Sequence, residues 1–432
     1  MEIPAIPPQA AERLPSSTTL ASQSQSQQQP SPSSLSSPSV TFIPSDAIDA
    51  TFARTTNLAS SALNAKVLSC SNDYFASASN LLTPTPPVHK PGVFVHTGAW
   101  YDGWETRRHN PEPYDWVVIK LGVASGAIEG VEVDTAYFVG NYGERAELQG
   151  TYVPPRSGGG PGSDDGDWDE MITDEEVMKP EYKGWKTILP PQPCGPSQRR
   201  AWKLNDYDPE KPTAYTHVRL LMYPDGGFAR LRLYGHAIPP ALPPRVAARA
   251  SEDRSVLPVE ELSSALLGGL ALAASDQHYT PCSNLLLPGR GKDMGDGWET
   301  ARSRAPGHVD WAIIRLGLPG SVSRVIVDTK DFRGNFPRAV RVHGLVAPEV
   351  KSSGKGAGEC LGEGEPGHDH PGWTELVRGE QPCKADTEHV FEGKDLVAGG
   401  EDTRVFTHVK LTLVPDGGVK RFRVFGRRAV VA

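Results

Sequence analysis

Two short runs concentrate the groups that could do chemistry. Asp102-Gly103-Trp104-Glu105-Thr106 leads directly into Arg107 and Arg108, and Asp296-Gly297-Trp298-Glu299-Thr300 into Ala301 and Arg302. Carboxyl groups can give or take a proton, and a guanidinium can grip a carboxylate through two parallel N–H donors. Two further elements recur in step: Gly140-Asn141 with Gly334-Asn335, and Thr216-His217-Val218 with Thr407-His408-Val409. The candidate acid and base groups are Glu105, Asp102, Glu299, Asp296, His217 and His408. The candidate binding groups are Arg108, Arg302, Asn141 and Asn335. Each has an architectural alternative. Asp-Gly suits a turn, Glu105 and Glu299 could be structural hydrogen-bond partners, and Asn after Gly suits the shaping of a loop. Asp134 and Asp328 close apolar strands and suit capping of loop backbone. A His on the outer face of a strand suits packing against a surface loop. No G-x-S-x-G elbow and no H-E-x-x-H spacing occurs. No cofactor is expected, although recurring Asp, Glu and His leave a divalent metal such as Mn²⁺ open.

The elements that carry these groups are written twice. Asp102 and Asp296 lie 194 positions apart (296 − 102), and Thr216 and Thr407 lie 191 apart (407 − 216). Order and spacing survive throughout, so this is a duplicated domain and not a solenoid. Within each copy the apolar residues alternate. Val117, Ile119 and Leu121 share one face, as do Val218, Leu220 and Met222, while Arg230 and Arg232 point outward from Leu231 and Leu233. Period-two alternation bounded by Gly, Pro and Asp marks half-buried strands. Pro224-Asp225-Gly226-Gly227 is expected to close a hairpin between two of them. Long amphipathic helical stretches are scarce. The fold class is therefore all-β, two tandem β-sandwich domains of jelly-roll type. The expected organisation is a disordered Ser/Gln/Pro-rich tail at 1–45, sandwiches at 46–236 and 263–428, and a stiff Pro-rich linker at 237–262. Gly-rich insertions, the first turning acidic, interrupt the copies from 157 to about 182 and from 351 to about 372. Both read as surface loops, and the acidic one as dispensable for chemistry.

Composition narrows the class. A chain of 432 residues with 38% hydrophobic and 22% charged residues is ordinary soluble globular protein in two domains. A formal charge of −8 argues against nucleic-acid or polybasic membrane partners. Five Cys in no dense pattern suggest a reducing compartment. There is no signal-peptide pattern, spanning apolar run or peroxisomal tripeptide, so a cytoplasmic location is expected.

The ordered motifs resemble those of allantoicases. The residues that carry the resemblance are Trp100 to Arg108, the Asp-Trp-x-x-Ile-x-Leu-Gly strand, Val-Asp-Thr-x-x-Phe-x-Gly-Asn, Thr-His-Val-Arg and Tyr223 to Arg232. Together they run from about Asn57 to Gly426 and occur in both halves. The second copy departs where Ala301 replaces Arg107, so only Arg108 and Arg302 are shared by position. The resemblance implies galactose-binding-like jelly rolls, a homo-oligomer, and hydrolysis of allantoate to ureidoglycolate and urea in purine catabolism. That reaction breaks an aminal C–N bond, so it needs a cation for the substrate carboxylate, an acid for the departing urea and a base for water. Rival expectations are a non-catalytic ligand-binding module and a hydrolase acting on ureidoglycolate.

Overall fold

In a computed structural model, the structure describes residues 38–154, 173–250, 253–346, 365–397 and 404–430. The first repeat is a sandwich of two five-stranded antiparallel sheets. One contains Val40–Ile43, Arg199–Leu204, Gly126–Asp134, Arg230–Ala237 and Thr56–Asn57, in that spatial order. The other runs Lys186–Pro193, Arg145–Thr151, His217–Tyr223, Asp115–Lys120 and Lys66–Cys70. The alternating residues meet between them as expected: Val117, Ile119, Val218 and Leu220 face Val131, Val133, Leu231 and Leu233, all fully buried or nearly so. Burial of this kind contributes about 25 cal/mol per Å² of apolar surface and drives the sheets together. The outer faces are covered as well. Phe52 stacks on Tyr234 over one sheet, with centroids 4.4 Å apart. Val177, Tyr182 and Trp185 cover Val118 and Trp116 on the other.

The second repeat has the same layers joined by one long strand. Asp310–Asp328 pairs through residues 310–315 with Phe406–Val414 and through 320–328 with Arg421–Arg428. The equivalent path in the first repeat is broken into Asp115–Lys120 and Gly126–Asp134.

Several local expectations are corrected. The Pro-Asp-Gly-Gly turns do not close hairpins, because His217–Tyr223 and Arg230–Ala237 belong to opposite sheets. Each turn instead crosses the sandwich and offers Gly227–Phe228 as a short partner to Trp104–Glu105, with Gly418–Val419 and Trp298–Glu299 matching. Residues 40–43 of the expected tail form an edge strand on Arg199–Leu204; residues 1–37 lie outside the described residues. The linker holds a helix, Pro244–Ala250, and a 3₁₀ turn, Arg254–Val256. Arg230 is not solvated. It is 1% exposed, donating to the carbonyls of Thr85, Asp102 and Ala229 and to the Asp102 carboxylate. Among the described residues no helix is long and apolar enough to cross a membrane.

Candidate active site

The Asp-Gly-Trp-Glu-Thr element lies at one end of each sandwich, held there by a buried Trp. The Trp104 indole N–H donates to the Asn72 carbonyl at 2.9 Å, and Trp298 repeats this with Asp276. Thr106 locks the element to the crossing turn: its N–H donates to the Gly226 carbonyl, and its hydroxyl accepts the Gly226 N–H at 3.1 Å. Gly226 has φ +139°, and a Cβ there would come within 2.8 Å of the Asn141 carbonyl oxygen and the Gly143 nitrogen. Only glycine lets the turn and the Asn141 loop approach this closely.

That approach brings three of the expected groups together. Asn141 Nδ2 donates to Glu105 Oε1 at 2.7 Å, and Asn335 to Glu299 Oε1 at 2.5 Å. Burial pushes the Glu105 carboxyl above its ordinary pKa, outweighing the Asn141 hydrogen bond and the charge of Arg108. Arg108 is pinned by Asp225, 2.8 Å from its carboxylate and 3.2 Å from its carbonyl oxygen. Asp225 also caps the N–H of His109 at 2.9 Å. Arg302 is looser, 3.9 Å from Asp416. Asp102 and Asp296 are engaged elsewhere. Asp102 accepts from Arg230 at 2.7 Å and from the Val88 N–H at 2.8 Å. Asp296 accepts the Lys292 N–H and pairs with the fully buried Lys420. Asp134 and Asp328 cap the N–H groups of Ala136 and Lys330 at 2.8 and 2.9 Å.

His217 and His408 stand at the other end. His217 opens the strand His217–Tyr223, whose far end leads into the Asp225 turn. Seven extended residues separate them by about 20 Å. One pocket within a repeat therefore cannot contain both His217 and Glu105. His217 is not on an open surface either, being 1% exposed. Its Nδ1 lies 2.9 Å from the Thr216 hydroxyl and its Nε2 3.2 Å from Asp174, which also receives Lys120 at 2.7 Å. The second repeat rebuilds the cluster with other residues: His408 Nε2 lies 2.9 Å from Glu365, which Arg315 meets at 3.1 Å. A cavity of about 470 Å³ beside His217 is lined by Lys120, Val123, Val153, Asp174 and Thr216. Burial lowers the His217 pKa more than Asp174 raises it. At Asp174 burial opposes ionisation, but the hydrogen bonds and charges of Lys120 and His217 together hold the carboxyl below the usual carboxylate range. Among the described residues, no group of three or more His, Cys, Asp or Glu could hold a metal ion.

The family profile described as Allantoicase repeat matches residues 56–238 and 260–429. This chain belongs to the allantoicase family. An allantoicase of Neurospora crassa is 51% identical over 397 residues, covering 90% of this chain and 96% of the relative. An allantoicase of Saccharomyces cerevisiae is 45% identical over 368 residues, covering 85% and 92%. A crystal structure of Saccharomyces cerevisiae allantoicase superimposes with a TM-score of 0.66 at 37% identity, over 90% of this chain and all of that one.

Sequence analysis of this family member missed Asp225, Lys120 with Arg315, and Asp174 with Glu365. Asp225 was hidden as a turn residue. Lys120 and Arg315 carried a signal, because each sits directly opposite its His in the strand register. Asp174 and Glu365 carried none, since each reaches its His from within an insertion.

Proposed function

We propose that this chain hydrolyses allantoate to ureidoglycolate and urea at the end of the sandwich where Glu105, Asn141 and Arg108 meet. What supports this most directly is the buried Glu105 held by Asn141 under the influence of Arg108, in a chain of the allantoicase family. Arg108 spends Nη1 on Asp225, so the substrate carboxylate is met by Nε and Nη2. Glu105, whose pKa burial raises, serves as the acid and gives its proton to the ureido nitrogen that departs. The C–N bond breaks with both electrons on urea, and the lone pair of the remaining ureido nitrogen supports the positive carbon. Water adds to that carbon and Glu105 takes the surplus proton, which restores the acid. Asn141 holds Oε1 and leaves Oε2 to carry the proton. Asp102 and Asp296 are anchors of the element, and His217 and His408 hold the chain that returns from each insertion. The enzyme acts in purine catabolism, in the cytoplasm, as a homo-oligomer. Purified protein given allantoate should release urea and a product that yields glyoxylate; no turnover, with or without added Mn²⁺, overturns the assignment.

A further inference from the structure

One buried carboxyl group ties down the loop that carries Arg107 and Arg108. Asp115, the first residue of the strand Asp115–Lys120, is fully buried. Three donors converge on its Oδ1: the Ser71 hydroxyl at 2.6 Å, Asn72 Nδ2 at 3.0 Å and Asn110 Nδ2 at 2.8 Å. Its Oδ2, also buried, receives no hydrogen bond among the described residues. A carboxylate only accepts, so Asp115 dictates which way each amide faces. Asn72 gives Nδ2 to Asp115, and its Oδ1 is left to take the Arg107 N–H at 2.8 Å. Asn110 gives Nδ2 to Asp115, and its own N–H reaches Asp225 Oδ2 at 3.4 Å, beside the His109 N–H at 2.9 Å. Arg107 and Asn110 bracket Arg108 in the chain, and both are tied to one buried oxygen, the first through Asn72 and the second directly. Asp225 completes the arrangement, because its Oδ1 lies 2.8 Å from Arg108 Nη1.

The second repeat keeps the buried acid and lacks both amides. Asp310 is 1% exposed, with the Ser275 hydroxyl on its Oδ1 at 2.7 Å and His308 Nε2 at 3.4 Å. Asn72 follows Ser71, whereas Asp276 follows Ser275, and the carbonyls of both accept from the element's Trp. Asn110 stands four residues beyond Thr106, and Arg304 four beyond Thr300. The backbone caps of the loop survive: Asp276 takes the Ala301 N–H at 2.6 Å, and Asp416 the Ser303 N–H at 2.8 Å. What is gone is the tie from the loop to the buried acid. Arg302 there lies 3.9 Å from Asp416 and spends Nη2 on the Gly334 carbonyl. The guanidinium is clamped where the amides are present and displaced where they are replaced.

We propose that Asp115 is a positioning residue for substrate binding: through Asn72 and Asn110 it fixes the loop on which Asp225 holds Arg108 for the substrate carboxylate. This rests on the reading of Arg108 as the carboxylate grip. The test is a double-mutant cycle read by steady-state kinetics on allantoate. Asn110 is only half-buried, and Asn110→Ala should raise KM about tenfold while kcat stays within about twofold. Asp115→Asn, isosteric but a weaker acceptor, should shift KM in the same direction. In an Arg108→Ala background neither change should raise KM further, because the group being positioned is gone. An equal rise with and without Arg108 would reduce Asp115 and Asn110 to general architecture and overturn the proposal, as would an unchanged KM in the folded single variants. If Asp115→Asn fails to fold, Asn110→Ala decides alone. A crystal structure of Asn110→Ala gives a readout free of turnover. Arg108 should move out of hydrogen-bond reach of Asp225, and a guanidinium still 2.8 Å from that carboxylate would overturn the proposal. If the unaltered protein leaves allantoate intact, the assigned reaction fails; if Arg108→Ala leaves KM unchanged, the grip assigned to Arg108 fails. In both cases the crystal structure still decides whether Asp115 fixes Arg108.

Discussion

At the scale of single residues, the proposed site rests on unequal burial. Arg108 is half open to solvent and prefixed by Asp225, a geometry for holding a carboxylate and not for moving protons. Charge-assisted hydrogen bonds contribute about 1.5–3 kcal/mol each. Arg108→Ala should therefore cut kcat/KM by about 10- to 100-fold, mainly through KM, as steady-state kinetics on allantoate will show. Glu105 is the proposed acid, and burial raises its pKa in the folded protein. Its active form is the protonated one, so kcat is full below that pKa and declines as pH rises through it. A pH–rate profile that instead rises through this limb would assign the group as a base in the rate-limiting step.

At the scale of elements, the crossing turn decides whether the site exists. A side chain at Gly226 would strain a backbone at φ +139° and strike the Asn141 loop. Strain alone costs about 1–3 kcal/mol. Gly226→Ala should lower the melting temperature and displace Asn141 from Glu105, so that turnover falls further than stability does. The insertions behave differently from surface decoration. The chain re-enters the fold at Asp174–Val177, where Val177 is buried and Asp174 meets His217 and Lys120. Deleting 155–182 should therefore destabilise the sandwich, which a thermal melt will register. The His217 pKa is depressed in the folded state, so the unfolded chain binds the extra proton first. Its contribution to stability is present above pH about 6.5 and is lost as pH falls below that value. Asp174, also depressed, acts in the same direction at lower pH. His217→Gln should flatten the fall in melting temperature between pH 7 and pH 5.

At the scale of the whole molecule, the repeats share one apolar core that runs from Leu58 and Leu233 through Ala237 to Leu262 and Val424. Polar contacts cross the join too. Arg54 lies 3.4 Å from Glu365, and Arg428 reaches the Pro240 carbonyl at 2.9 Å while pairing with Glu260. The segment between the repeats is therefore packed structure and not a free spacer. Differential scanning calorimetry should give a single unfolding transition, and a chain cut near residue 250 should yield halves less stable than the whole. Two resolved transitions would mean independent domains.

The sequence by itself determined the strands, their inward faces and the duplication, because alternation and spacing are local or periodic and survive without knowledge of neighbours. It also marked Glu105 and Asn141 separately as candidates, each in a motif kept in step between the copies, but not the hydrogen bond between them. What only the tertiary structure decided was which candidates meet. His217 and Glu105 lie at opposite ends of one strand path, a separation set by which sheet each strand joins. Asp102 turned toward Arg230 because that guanidinium, outward in a simple alternation, is sealed under the 84–101 segment. Asp174 found His217 across 43 residues of chain, and no local pattern encodes a contact formed by the return of a loop.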